Sequence, residues 1–196
     1  MYNNYRTGIY MGDYIGYTNG GTSGCHVVNN TLYNNNLVGG SLNENNNSGR
    51  VNDEKDSEGE IRLTENCTNN VIMNNLIYAL SDRDIFIRKY TATGDRNEIG
   101  YNLYFSPRQK VQKWFWDGKE YTDFAEWQKA SGDKHSVYNV DPQLQNWETA
   151  EPDLHLLSES PAKNAGFVMA GTIIGEYDID GDKRLVDNKI NIGADQ

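Results

Sequence analysis

The chain has 196 residues, enough for one sizeable domain, and 11% of them are aromatic, a content that excludes a disordered chain. Its net charge of −10 excludes the basic footprint of general nucleic-acid binding, while leaving room for an anionic sugar polymer at a local basic patch. No apolar run is long enough for a transmembrane helix, and no signal peptide opens the chain.

In chain order, short alternating segments recur. "GIYMGDY" at 8–14 is followed by "VVNNTLY" at 27–33. "EIRLTEN" at 60–66 is followed by "VIMNNLIY" at 71–78, and "DIFIRKY" at 84–90 by "EIGYNLY" at 98–104. Each unit reads as a strand, a turn, a second strand, an Asn-containing corner and a third short strand. Val28, Met73 and Ile99 align in one column, Asn30, Asn75 and Tyr101 in a second, and Tyr33, Tyr78 and Tyr104 in a third. Asn tolerates the left-handed backbone of a tight corner. Stacked amides also hydrogen-bond along a ladder, with Asn75 over Asn30 expected as the main pair. The first unit carries a polar insertion at 41–59, which reads as a solvated loop.

The segments are too short for helices and alternate with period two. Strand–turn repeats that cannot bury their own apolar face must stack. Stacking in register gives parallel sheets about 4.8 Å apart, and hence an all-β parallel β-helix. Residues 1–106 are expected to form its rungs and 107–196 a capping tail. The start, "YNNYRTGIY", reads as the interior of a patterned segment, so further rungs or another chain are expected to cover that end. Cys25 and Cys67 lack metal-site spacing and read as two buried thiols, with a disulfide as the alternative.

The tail supplies capping material. "FWDGKEY" signals a hairpin turning at Asp117-Gly118, and "TDFAEWQKASG" a short helix with Thr122 as N-cap and Gly132 at its end. Trp114, Trp116, Tyr121, Phe124 and Trp127 read as packing on the last rung, with sugar stacking as the alternative. "DIDGDKR" at 178–184 lacks EF-hand spacing, because Gly181 is fourth and position twelve is Lys189. It reads as a turn with Arg184 paired to an aspartate. His26, His135 and His155 read as structural.

In the three upstream strands, alternation points Ile9, Met11, Ile61, Leu63, Ile85 and Ile87 inward. The outward columns are Gly8, Glu60 and Asp84; then Tyr10, Arg62 and Phe86; then Gly12, Thr64 and Arg88, with Asp13, Glu65 and Lys89 at the strand ends. This face is dense in ionisable groups. Ordinary surface ion pairs, Glu60 with Arg62 and Asp84 with Arg88, account for the same residues.

"GIYMG…NNTLYNNN", "GEIRL…NNVIMNNLIY" and "DIFIRKY…NEIGYNLYF" resemble rungs of right-handed parallel β-helix proteins of the pectate-lyase-like superfamily. "DLHLLSESPAKNAG…DIDGDKR…NIGADQ" is similar to the closing motif of secreted bacterial members. The resemblance implies a secreted or cell-surface protein that binds polysaccharide along this face, as a lyase, a glycoside hydrolase or a non-catalytic module. A uronate lyase needs a cation to neutralise the substrate carboxylate and a base for the C5 proton, roles open to Arg62, Arg88 and Lys89. Glu60, Asp84, Asp13 and Glu65 would hold Ca²⁺ if it is used. Tyr10 and Phe86, with Asp13 and Glu65, would contact the sugar. A hydrolase would instead pair Glu60 with Asp84.

Overall fold

The computed structural model describes residues 1–14, 16, 19–37, 58–81 and 84–196. The polar insertion expected at 41–59 therefore lies outside the described residues up to position 57. Through residue 105 the described strands are three residues long. They are β1 (Ile9–Met11), β2 (His26–Val28), β3 (Thr31–Tyr33), β4 (Ile61–Leu63), β5 (Val71–Met73), β6 (Leu76–Tyr78), β7 (Ile87–Lys89), β8 (Glu98–Gly100) and β9 (Leu103–Phe105). β1 to β6 each pair in parallel with the strand three places later, so β1-β4-β7, β2-β5-β8 and β3-β6-β9 lie in three separate sheets.

The strands are short because left-handed residues end them. Asn29 (φ 55°), Asn74 (φ 56°) and Tyr101 (φ 53°) occupy equivalent corners after β2, β5 and β8. The next residue at each corner carries an amide: Asn30 Nδ2 donates to Asn75 Oδ1 at 2.9 Å, and Asn75 Nδ2 to Asn102 Oδ1 at 3.0 Å. A second ladder joins Asn70 Nδ2 to Asn97 Oδ1 at 2.9 Å. The neighbouring Asn74 turns to the Phe167 backbone instead.

The sheets end in antiparallel and helical structure. β10 (Trp114–Trp116) joins β7 in parallel, and β11 (Lys119–Tyr121) folds back on it through Asp117 (φ 52°) and Gly118 (φ 78°). Positive φ at both central residues is the backbone a two-residue hairpin requires. β12 (Val137–Tyr138) extends the sheet of β9, while β13 (Leu144–Asn146) and β14 (Asp153–Leu156) form a separate antiparallel pair. α1 (Phe124–Ser131) is capped by the Asp123 side chain, not by Thr122, and ends at Gly132 (φ 76°). A four-residue α2 (Gly171–Ile174) follows.

These findings correct the fold class expected from the sequence. That expectation was an all-β right-handed parallel β-helix whose tail holds one hairpin and one helix. The structure has small sheets of three-residue strands, mixed in strand order once β11 joins, a detached antiparallel pair and two described helices. The described strands do not make one closed solenoid.

Two expected registers are also corrected. In the first sheet Ile61 pairs with Ile87 and Arg62 with Arg88, so "DIFIRKY" sits two residues from its expected position. A slip of two leaves every side chain on the same face, and period-two alternation cannot detect it. At the third corner the slip is one residue: Asn102, not Tyr101, continues the amide column, and Phe105, not Tyr104, lies beside Tyr78. "NLY" and "TLY" look alike but are out of register by one residue, so Thr31 lies over Leu76 and Leu103.

Inside the sheets, Met11, Ile61, Leu63, Ile72, Ile87 and Ile99 form a continuous apolar core with Phe86 and Trp114. Trp114, Trp127, Phe124 and Tyr138 pack against its last layer, with ring centroids 5.0–5.9 Å from Trp114. The aromatic tail therefore packs, as expected. Both cysteines are free thiols; Cys67 is buried, but Cys25 is exposed, which corrects its expected burial.

Candidate functional site

Register brings Tyr10, Arg62, Arg88 and Phe115 into one outward row across β1, β4, β7 and β10. The Arg62 guanidinium lies 5.1 Å from the Tyr10 ring centroid and 4.6 Å from that of Tyr90. Arg88 lies 4.1 Å from Tyr90 and 4.7 Å from Phe115. Cations and aromatic faces thus alternate along the row, each guanidinium held by ring quadrupoles on two sides. Exposure decides what a ligand can touch: Tyr10 is 45% exposed and Arg88 4%, so Arg88 supports Tyr90 from beneath while Tyr10 and the Arg62 edge face outward.

Glu58 anchors this row. Its carboxylate meets Arg62 Nη1 at 2.6 Å and also pairs with the exposed Arg6. Burial opposes its ionisation, but the Arg6 hydrogen bond and the Arg62 charge outweigh burial and hold its pKa below the ordinary carboxylate range. Sequence reading missed Glu58, Arg6, Tyr90 and Phe115. Tyr90 closes "DIFIRKY", a segment already singled out, but Phe115 reaches the row only through a pairing of the tail that no pattern announced.

Glu60 and Asp84 do come together, yet neither is on a surface; both are 0% exposed. Asn35 N donates to Glu60 Oε1 at 2.8 Å and Asn35 Nδ2 to Oε2 at 2.6 Å. Burial first, and then the neighbouring Asp84 charge, raise the Glu60 pKa well above its ordinary value, and a hydrogen bond with Asp84 keeps the proton there. A pair closed to solvent cannot flank a glycosidic bond, so the expected hydrolytic pairing is corrected to a buried, proton-sharing pair.

This pair carries a pH prediction. A carboxyl whose folded pKa is raised contributes stability fully present below its unfolded pKa of about 4.3. That stability is lost as pH rises through the raised folded value. Glu60→Gln removes the titration, and although its amide nitrogen must face one Asn35 donor at a pH-independent cost, it should gain on the wild type as pH rises from 4 to 8. Urea melts across that range test this, and parallel stability curves for the two proteins would show that Glu60 holds no proton.

The remaining expected site residues disperse. Phe86 is buried against Tyr104 and Trp114 and belongs to the core, which corrects its expected contact with sugar. Lys89 is buried in the row of Leu63, bonded to Asp117 and to the Thr91 carbonyl, with its ammonium 5.4 Å from the Trp116 ring; it is no exposed base. Glu65 accepts from Thr93 at 2.6 Å, Thr91 at 3.1 Å and the Gly16 amide at 3.1 Å. Those hydrogen bonds lower its pKa, the Thr93 bond most. Asp13 bridges to Glu65 through its backbone. These four carboxylates do not converge among the described residues, so they do not fit the Ca²⁺ site that the family resemblance implied.

A second feature departs from the structural role expected of His155. His155, on β14, sits between two aspartates: Nδ1 contacts Asp153, and Nε2 lies 2.8 Å from Asp180 Oδ2. Hydrogen bonds to Asp153 and then Asp180 raise its pKa to about 9. In the "DIDGDKR" turn, Asp178 accepts from the amides of Asp180 and Asp182, both at 2.9 Å. Arg184 donates to the carbonyls of Tyr177, Gly193 and Ala194 rather than to the carboxylate expected.

No helix among the described residues is long and apolar enough to cross a membrane. No family model matches the chain, and no solved structure matches it. The chain is 29% identical over 164 residues to the "Uncharacterized protein YwoF" of Bacillus subtilis (strain 168), a match covering 83% of this chain. The matched region is 31% of that relative, so the chain spans about a third of the length of the curated protein it resembles.

Proposed function

We propose that this chain is part of a secreted or cell-surface protein that binds an acidic polysaccharide along the Tyr10–Arg62–Tyr90–Phe115 face. The single observation supporting this is the in-register alternation of guanidinium and ring. Sugar rings present flat C–H faces to aromatics, and uronate carboxylates accept paired N–H bonds from a guanidinium. Arg62 and Arg6 share Glu58 as their anchor, so they stay oriented before any ligand arrives. The resemblance to the pectate-lyase-like superfamily adds β-elimination as the reaction class this face would serve. The burial of Glu60 and Asp84 disfavours hydrolysis, and the burial of Arg88 and Lys89 leaves Arg62 as the basic group to test for elimination.

Affinity electrophoresis in gels containing polygalacturonate, alginate or neutral glucan provides the test. Retardation is expected in the acidic gels. Arg62→Ala should weaken it at least about tenfold, the range of a charge-assisted hydrogen bond. Equal mobility in acidic and neutral gels would refute the binding reading. Unsaturated products from the acidic polymers, followed by ultraviolet absorbance, separate a lyase from a binding module.

A further inference from the structure

A cavity of about 900 Å³ opens between the chain's first eight residues and the tail. Tyr2, Tyr5 and Arg6 line one side, and Asp153, His155, Asp180 and Asp195 the other. Three of these come from separate places in the tail: β14, the "DIDGDKR" turn and the last residues. One ligand-type atom from each of His155, Asp180 and Asp195 lies within 4.8 Å of the other two.

We propose that His155, Asp180 and Asp195 bind a divalent first-row transition-metal ion in the wall of this cavity. The donor set has one imidazole nitrogen and two carboxylates, chemistry that suits zinc-like ions, whereas Ca²⁺ favours an all-oxygen set. The supporting groups are already in place. Asp153 meets His155 Nδ1, which fixes the ring and turns Nε2 toward Asp180, the carboxylate–histidine arrangement that orients metal-binding imidazoles; the ion takes the place of the proton that Nε2 now shares with Asp180, and that proton leaves to solvent. Asp195 Oδ2 accepts from the Leu156 amide at 2.8 Å, which leaves its other oxygen to bind. Asp178 occupies the turn's backbone amides, so Asp180 is left to face His155. The cavity supplies what the three side chains do not, room for further ligands on the open side of the ion. Oxygen-rich small molecules or sugar hydroxyls would complete the coordination there. None of the three ligands belongs to the Arg62 face, so the site stands or falls independently of the polysaccharide reading.

Calorimetric titration of the 196-residue chain with ZnCl₂, MnCl₂ and CaCl₂ tests the site. One equivalent of Zn²⁺ should bind, and Ca²⁺ should bind at least tenfold more weakly. Asp180→Asn and His155→Gln, both at exposed positions, should each weaken Zn²⁺ binding at least tenfold, while Arg62→Ala should leave it unchanged. Independently of any variant, Mn²⁺ should broaden the NMR signals of residues 153–156, 179–181 and 194–195 in the wild-type chain. Zn²⁺ affinity unaltered in both variants, broadening centred elsewhere, or no binding at all would overturn the proposal.

Discussion

Trp114→Ala is expected to cost about 3–5 kcal/mol of folding stability, the range for deleting a fully buried tryptophan. The side chain is 0% exposed and touches five aromatic rings: Phe86, Tyr104, Phe124, Trp127 and Tyr138. Phe86 and Tyr104 belong to the last layer of the sheets, while Phe124 and Trp127 belong to α1. Trp114 therefore joins tail to sheets, and its loss opens a cavity that neither side can fill. Its indole N–H has no hydrogen-bond partner among the described groups, so Trp114→Phe gives up volume but relieves a buried donor. The phenylalanine variant should lose less than half as much as the alanine variant in urea melts. An alanine loss below about 1 kcal/mol would mean the tail is held by something else.

Asn75→Ala should be the next most damaging change, at about 2–4 kcal/mol, because it strands several buried groups at once. Its Oδ1 accepts from the Asn30 amide at 3.1 Å and from Asn30 Nδ2 at 2.9 Å. Its Nδ2 donates to the Val27 carbonyl at 2.9 Å and to Asn102 Oδ1 at 3.0 Å. These four contacts span three layers, and the side chain is 0% exposed. Asn30 sits at the end of the same column and is half-buried, so Asn30→Ala should cost clearly less. Asn75→Asp provides a sharper comparison, since a carboxylate there would face two oxygen acceptors. Chemical denaturation at pH 5 and pH 8 should show that variant weakening further at the higher pH. Equal losses at positions 30 and 75 would show that the ladder does not carry the corner.

The sequence revealed the facing of most residues but not their neighbours. Period-two alternation placed Ile61, Leu63 and Ile87 inward and Arg62 outward, and the doubled asparagines marked the corners. Alternation repeats after two residues, however, so it could not choose between Phe86 and Arg88 as the neighbour of Arg62. The site changed most through that ambiguity: the row acquired a second arginine and lost a phenylalanine to the core. Glu60 was misplaced for a different reason. Its cover, Asn35, lies 25 positions earlier, beyond the reach of any local pattern. The His155 cluster was invisible because its aspartates come from segments with no shared periodicity.

The corner amides also bear on how much chain can lie between paired strands. Between β3 and β4 the chain spans residues 34–60, whereas between β6 and β7 it spans only 79–86. Both excursions return to matching parallel positions, Arg62 beside Tyr10 and Arg88 beside Arg62. Alignment is thus enforced where the strands meet and is indifferent to how much chain intervenes. Strand pairing and the asparagine columns therefore hold the frame whether 27 or 8 residues intervene.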